Sequence, residues 1–173
     1  FFFKQKTAYE IKECDWSSDV CSSDLGSAHT CALLDDWSVK CWGYNADGQL
    51  GIGATDSRGD SSSELDDALS AVDFGAGRTA TQIAVGGHHS CALLDNSDVK
   101  CWGRNSVGQL GYGDIVNRGD GPNEMGSNLL AVEFPSGRSA RSIVAGASHT
   151  CALLDNATVI CWGANEYGQL GQN

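Results

Sequence analysis

Histidine, a hydroxyl residue, cysteine and aspartate recur together three times in this chain of 173 residues. The segment His-Thr-Cys-Ala-Leu-Leu-Asp at 29–35 returns at 89–95, with Ser in place of Thr, and again at 149–155. A histidine beside a hydroxyl group and a carboxylate is the arrangement that activates a nucleophile. A catalytic centre is needed once per fold, however, whereas this group occurs once every sixty residues. We therefore predict that the three histidines are structural, each bonding backbone near a central axis, and that the chain is not an enzyme.

Six cysteines follow the same repeat, in pairs whose members are ten residues apart. The pairs are Cys31 with Cys41, Cys91 with Cys101, and Cys151 with Cys161. Turn-forming residues separate the members of each pair, so we expect them opposite each other on a hairpin. Cβ atoms at such positions lie about 4.5–5.5 Å apart, close to the separation that a disulfide tolerates. We predict three local disulfides, each worth roughly 2–3 kcal/mol, and hence an extracellular, cell-surface or secretory compartment.

Two other interpretations of the cysteines stay open at this point. Buried free thiols would suit a cytosolic repeat protein, in which disulfides are rare. A metal is the second alternative, because His89 and Cys91 share one strand face and Cys101 lies opposite, which offers three ligands to zinc. Three ligands without a nearby fourth are a weak pattern, so we predict neither a metal nor a cofactor.

The sixty-residue period also defines the elements that position these residues. A fixed period of a few tens of residues is the signature of a propeller, solenoid or array. Short apolar runs between Gly, Asp, Ser and Asn indicate β-strands, and the middle copy contains four of them, at 68–74, 81–86, 89–95 and 98–103. Four antiparallel strands per repeat is the number found in a propeller blade.

The predicted architecture is an all-β fragment of about two and a half propeller blades. The parts are a partial blade at 26–43, a connector at 44–67, a blade at 68–103, a connector at 104–127, a blade at 128–163 and a truncated connector at 164–173. We expect the first unit to keep two strands, at 29–43, and the third unit to include a strand at 129–134. The remaining blades are expected in a longer version of the same chain.

Residues 1–25 share nothing with the repeat and match the translation of a sequencing-library adapter. The matching stretches are KQKTAYEI at 4–11 and CDWSSDVCSSDL at 14–25. Segments of this origin are excluded from fold reasoning. We expect residues 1–25 to be absent from the genomic locus, to be disordered and to form no part of a sheet, so that 26–173 hold the repeats.

The charge of the chain argues against two classes of partner. The net charge at pH 7 is −11, and residues 26–173 carry eight basic and seventeen acidic side chains. Nucleic acid and anionic membrane surfaces both need a positive footprint, so we expect neither. No apolar run approaches the roughly eighteen residues of a transmembrane helix, so we do not expect membrane insertion.

The repeated motifs resemble those of the regulator of chromosome condensation repeat family. The likeness lies in Gly-x-x-His-Thr/Ser-Cys-Ala-Leu followed by Val-x-Cys-Trp-Gly-x-Asn-x-x-Gly-Gln-Leu-Gly, and it covers 26–173. The resemblance implies a seven-bladed propeller whose blades have about fifty residues. The repeats here are longer, through their connectors, and the cysteine pairs resemble the extracytoplasmic, disulfide-bearing branch of such repeats.

The function expected from these features is the binding of a protein or peptide partner through the connectors, without catalysis. Long surface loops are usually functional, and the connectors at 44–67 and 104–127 each contain an Arg-Gly-Asp sequence. We take Arg58, Asp60, Arg118 and Asp120 as the candidate interaction loop, and interpret the tripeptide as a turn with an Arg–Asp contact rather than an adhesion signal. The resemblance implies an alternative, a regulator of an enzyme or GTPase, since family members act as guanine-nucleotide exchange factors and one secreted type inhibits β-lactamases.

Overall fold

Three antiparallel sheets follow one another in the computed structural model, which describes residues 20–61, 64 and 68–171. Each sheet contains three strands in sequential order. The strands are β1 Val20–Leu25, β2 His29–Leu34, β3 Val39–Gly43, β4 Ala80–Val85, β5 His89–Leu94, β6 Val99–Gly103, β7 Ala140–Ala145, β8 His149–Leu154 and β9 Val159–Gly163. Two short 3-10 helices, Gly126–Asn128 and Pro135–Gly137, precede β7. In this part of the chain no helix is long and apolar enough to cross a bilayer.

The second hairpin of each sheet has the same register in all three repeats. In β5 and β6, Cys91 lies opposite Cys101 and Leu93 lies opposite Val99, and the equivalent residues pair in β2–β3 and β8–β9. Ser97 closes the turn with a positive φ of 68°, a conformation typical of short hairpin loops. Both faces of β5 are buried, which explains why its residues are apolar without a polar alternation.

The strand β1 contradicts the expectation that residues 1–25 form no part of a sheet. It pairs antiparallel with β2, with Asp24 opposite Cys31, and the Asp24 carboxylate accepts the Val85 N–H of the second sheet at 2.8 Å. The main-chain bonds of an edge strand demand no particular side chain, so a segment outside the repeat pattern completes the first sheet. Residues 1–19 lie outside the described part of the chain.

The predicted fourth strand of each blade is also wrong. Neither 68–74 nor 129–134 contains a strand, and Ala71 forms only an isolated bridge with Lys40. Val72 N–H donates to Val39 O at 2.7 Å, and the second segment makes the equivalent single bond to β6. Buried apolar side chains hold both segments on the outer edge of the sheet. The apolar pattern in these segments therefore indicates burial. It does not distinguish a strand from a segment that makes a single main-chain hydrogen bond to the sheet.

Two apolar cores lie between successive sheets and join them. The core between the first and second sheets contains Trp102, which is fully buried and packs on Phe74 with ring centroids 5.7 Å apart. The core between the second and third sheets repeats this contact with Trp162 and Phe134, 6.1 Å apart. The stacking of each sheet on the next is that of propeller blades, and the predicted fold class, an all-β propeller fragment, is confirmed.

The third sheet exposes apolar side chains whose equivalents in the second sheet are buried. Val159 is 61% exposed, whereas Val99 is fully buried. Val144 is 60% exposed, whereas Ala84 at the same position is 2% exposed. The third sheet thus presents the face on which, one repeat earlier, the following sheet packs.

We predict that this 173-residue chain self-associates through the face of the third sheet, because contiguous exposed apolar surface promotes association. The expected result in sedimentation velocity is a weight-average mass that rises with concentration. Val144→Asp combined with Val159→Asp should shift the chain toward monomer. Ile115→Asp, at an equally exposed position outside the sheet, is the matched control and should leave the association unchanged. A concentration-independent monomer would contradict the prediction.

Candidate functional site

The connectors that follow β3 and β6 are closed by one asparagine each. Asn45 Nδ2 donates to the carbonyls of Ala54 at 2.7 Å and Asp56 at 2.9 Å, while Asn45 Oδ1 accepts the Leu50 N–H at 2.9 Å. Asn105 repeats these bonds in the second connector. Both asparagines are fully buried. The Asn of the Trp-Gly-x-Asn motif therefore gives each connector its shape.

The glutamine of Gly-Gln-Leu-Gly joins each connector to the next repeat. The Gln49 carbonyl oxygen accepts two hydrogen bonds from the second sheet, from Ser90 Oγ at 3.0 Å and from Trp102 Nε1 at 3.0 Å. The Gln109 carbonyl accepts the same pair of bonds from the third sheet, through a threonine hydroxyl and an indole. One main-chain oxygen per repeat is thus shared by two side chains of the following repeat.

The repeated histidines bond to the same hydroxyl groups. His29 Nε2 lies 2.9 Å from Ser90 Oγ, and His89 Nε2 lies 2.8 Å from Thr150 Oγ1. Each hydroxyl has one proton and donates it to the glutamine carbonyl, so the imidazole must donate its Nε2 proton to the hydroxyl oxygen. The expectation that the histidines bond backbone is therefore wrong: the partner is a side chain sixty-one residues away.

Burial keeps these histidines neutral. Desolvation, reinforced by neighbouring histidines, lowers the pKa of His29 and of His89 to about 4. The Nδ1 atom of each ring is buried without a hydrogen-bond partner among the described residues, as suits an unprotonated nitrogen. Gly86 lies against the His89 ring, where a Cβ would collide with it. A base that activates the hydroxyl would have to accept a proton at Nε2, the atom that here donates one.

The cysteine pairs lie at bonding distance in all three hairpins. The sulfur atoms of the pairs are between 2.07 and 2.13 Å apart. A sulfur in a disulfide is not a thiolate and cannot serve as a zinc ligand, and His89 Nε2 is already bonded. The alternative zinc ligand set of His89, Cys91 and Cys101 therefore does not fit bonded sulfur atoms. Across the described ranges, no three His, Cys, Asp or Glu side chains are grouped as metal ligands would be.

The second Arg-Gly-Asp sequence is built into the connector. Arg118 Nη2 donates to Asp114 Oδ2 at 2.7 Å, and its guanidinium lies over the Tyr112 ring at 5.5 Å from the centroid. The arginine thus contacts Asp114 rather than Asp120 of its own tripeptide. Burial, followed by the Glu124 carboxyl group, raises the pKa of Asp120 above its usual range. Both charged side chains of this tripeptide are half-buried.

The first Arg-Gly-Asp sequence is more open. Arg58 Nη1 lies 3.5 Å from Glu64 Oε1, and Asp60 is exposed. The difference arises because the first connector covers the second tripeptide, where a Cβ on Gly48 would collide with the main chain of Asp120. Arg58 and Arg118 of the predicted interaction loop thus each contact a carboxylate within their own connector, and the assignment of the four residues to a partner surface stays a prediction.

An exposed apolar patch on the second connector was not found by sequence reasoning. The patch consists of the adjacent residues Ile115 and Val116, which are 69% and 59% exposed, and Leu130, which follows the connector, is 71% exposed. Leu130 lines a cleft of about 810 Å³ that also contains Asp98 and Glu133. The available signal was a departure from the repeat, because the equivalent positions of the first repeat hold the polar residues Thr55, Asp56 and Ser70.

The combination of three stacked sheets, a shared glutamine carbonyl and a repeated Trp-Gly-x-Asn connector defines a propeller repeat of one type. The family model described as Regulator of chromosome condensation (RCC1) repeat matches residues 38–93 and 98–153. A second model with that description matches 20–49, 80–109 and 140–169. The chain belongs to the RCC1 repeat family.

Several proteins of known name are similar to this chain over most of its length. The probable E3 ubiquitin-protein ligase HERC4 of Homo sapiens is 38% identical over 153 residues, which are 86% of this chain and 13% of that protein. The ultraviolet-B receptor UVR8 of Arabidopsis thaliana is 32% identical over 153 residues, 88% of this chain and 31% of that protein. The structure of Prp20p from Saccharomyces cerevisiae matches with a TM-score of 0.66 and 25% identity, covering 90% of this chain and 34% of that chain. The chain spans about a third or less of the length of these relatives.

We predict that His89→Ala lowers the free energy of unfolding by about 2–3 kcal/mol, because it removes a fully buried side chain and leaves the Thr150 hydroxyl without its donor. The matched control is His88→Ala, since the neighbouring His88 is partly exposed and lies beside Asp47. The control should change stability by less than about 0.5 kcal/mol. Chemical denaturation measures both, and equal effects would contradict the structural role.

Acidification should destabilise the fold in a defined window. The folded pKa of His29 and His89, about 4, lies below the ordinary value of 6.5, so the unfolded chain binds protons first as the pH falls. Stability is therefore complete above about pH 6.5 and is lost toward pH 4, by on the order of 3 kcal/mol per histidine. Urea unfolding at several pH values across this range measures the slope of the free energy of unfolding against pH. His89→Gln, which keeps a donor but does not titrate, should reduce that slope by about half, and an unchanged slope would contradict the assignment.

Proposed function

We propose that this chain is a non-enzymatic scaffold that binds a protein or peptide partner through the second connector. The observation that carries the proposal is the exposed apolar patch of Ile115 and Val116 on a connector that Asn105 closes and that Gln109 joins to the next repeat. Surface apolar residues that cluster mark interaction sites more often than singly scattered ones do. The repeated residues, by contrast, are used for contacts within and between repeats.

The cleft beside the patch favours a partner segment with positive charge. Three carboxylates line it, those of Asp98, Asp114 and Glu133. The charge of Asp114 is balanced by Arg118, whose Nη2 lies 2.7 Å from Asp114 Oδ2. Glu133 is exposed, and the net charge of the chain is −11. Charge complementarity steers association and rejects partners of like charge. A segment with an apolar side chain next to Lys or Arg would satisfy both the patch and the cleft.

Relatives with named partners support a scaffold role at this coarse level. One related structure is that of Kap60 bound to yeast RCC1 (Prp20), and Prp20p is described with its binding properties to Gsp1p and histones. These partners belong to those proteins. The alternative function, regulation of an enzyme or GTPase, would use the same scaffold, and it differs in requiring a change in the partner's turnover or nucleotide release on binding.

We further propose that the chain resides in an oxidising compartment, at the cell surface, outside the cell or in the secretory pathway. The support is the pairing of six cysteines at one position of three hairpins. Each bond closes a short loop across two strands that already pair, so it constrains the unfolded chain without altering the sheet. Disulfides of this structural kind persist where the surroundings are oxidising.

We predict that Ile115→Ser combined with Val116→Ser weakens partner binding more than about tenfold, because burial of two such side chains contributes more than about 1.4 kcal/mol. Thermal stability should not change, since both side chains are exposed. The matched control is Thr55→Ala with Asp56→Ala, at the same exposed positions of the first connector. Quantitative mass spectrometry compares the partners that the unsubstituted protein and the two variants capture from the native host. Titration then gives the affinity of each variant for a captured partner.

A partner that the control loses equally, or that the Ile115 and Val116 variant retains, would contradict the connector assignment. Alanine substitutions at Arg118 and Asp120 are a poorer test than the sequence suggests. Arg118 also donates to the Val116 and Asn117 carbonyls, so its loss would distort the connector and confuse folding with binding.

A further inference from the structure

The hairpin turn between β8 and β9 contains Asn156-Ala157-Thr158, which has the form Asn-x-Ser/Thr of an N-glycosylation acceptor. It is the one segment of this form in the 173-residue sequence. We propose that Asn156 is an N-glycosylation site. The inference rests on the proposed oxidising compartment, because glycan transfer of this kind takes place in the secretory pathway of proteins that also form disulfides.

The geometry of the turn presents the Asn156 side chain to solvent. Leu154 and Thr158 close the hairpin, with the Leu154 N–H donating to the Thr158 carbonyl at 2.8 Å, and Ala157 adopts a φ of 65°. Asn156 Oδ1 accepts the Thr158 N–H at 3.1 Å, which fixes the amide oxygen and directs the Nδ2 group outward. Asn156 and Thr158 are both exposed, and within the described residues no atom accepts a hydrogen bond from Asn156 Nδ2.

The two preceding repeats show that a neighbouring sheet would leave this site open. Asp36 and Asn96 occupy the equivalent position in the turns of the first and second sheets, and both are exposed although another sheet packs on each of these sheets. A glycan on Asn156 would thus project from the rim of the stack. It would clear the face on which one sheet packs against the next.

The second repeat provides the same turn without the hydroxyl group. Asn96 Oδ1 accepts the Asp98 N–H at 3.1 Å, as Asn156 Oδ1 does with Thr158, and Ser97 adopts a φ of 68°. Asp98 replaces the threonine, and its carboxylate accepts from Asn96 Nδ2 at 2.7 Å. The acceptor nitrogen of Asn96 is therefore occupied, and the turn serves as an internal negative control.

The reaction forms one bond and breaks one. The co-reactant is an oligosaccharide linked to a polyprenol pyrophosphate, delivered by a membrane-bound transferase. The Asn156 Nδ2 atom forms a bond to the first carbon of the sugar, and the bond from that carbon to the pyrophosphate oxygen breaks. The amide loses one proton, and the lipid pyrophosphate leaves with the bonding electrons. No oxidation or reduction is involved.

The test expresses the complete chain behind a secretory signal in a eukaryotic cell, and analyses cell extract and medium together. Glycan transfer precedes secretion, so a chain retained in the cell still reports on the site. The expected result is one glycan that peptide N-glycosidase removes, with conversion of Asn156 to aspartate detected by mass spectrometry. Asn156→Gln and Thr158→Ala should each carry none, whereas Thr158→Ser keeps the hydroxyl and should retain modification.

A variant with a second acceptor sequence tests whether the transferase can modify a hairpin turn of this shape at all. Asp98→Thr creates Asn-Ser-Thr at 96–98 and should add a second glycan, on Asn96. An unmodified natural sequence beside a modified Asp98→Thr variant would overturn the inference, as would modification that survives Asn156→Gln. Thiol mapping of protein from its native host separates the two proposals. Oxidised pairs with unmodified Asn156 contradict the glycan alone, and free thiols in all three pairs contradict the compartment.

Discussion

The fold depends on a main-chain carbonyl that two side chains of the next repeat share. Gln49 O accepts from the Ser90 hydroxyl and the Trp102 indole, and Gln109 O repeats the arrangement one blade later. A buried carbonyl without partners would cost free energy comparable to a lost hydrogen bond. Connector and following sheet therefore satisfy each other, so neither the tight turn nor the sheet stacking is complete alone.

This shared oxygen determines the state of the histidines. Because the Ser90 proton is committed to Gln49, His29 must donate from Nε2, and its Nδ1 remains a bare nitrogen in a buried space beside Gly26. Protonation would place a charge and an unpartnered N–H there, which explains why burial lowers the pKa of the ring. The grouping of residue types that would activate a nucleophile thus forms a chain of hydrogen bonds with a fixed direction, in which the imidazole donates to the hydroxyl and the hydroxyl donates to the main-chain carbonyl.

The division between repeated and unrepeated residues carries over to function. Residues that recur every sixty positions make contacts within and between the repeats, as Asn105 does in its connector. Positions that differ between repeats reach the surface, as Ile115 and Thr158 do, because nothing in the blade geometry restricts them. Loops held by a rigid scaffold are where binding residues concentrate. In a repeat protein, the residues that break the period are therefore the better candidates for a site.

The sequence by itself determined what depends on neighbouring residues: the sixty-residue unit, the hairpin that sets Cys91 opposite Cys101, and the connector shape imposed by Asn105. Tertiary structure decided what depends on the adjacent repeat. It placed Thr150 against His89 and drew β1 into the first sheet, and it left 68–74 beside a sheet instead of in it. Hairpin register follows from side-chain alternation over a few residues, whereas partners sixty-one residues apart are chosen by how whole sheets pack.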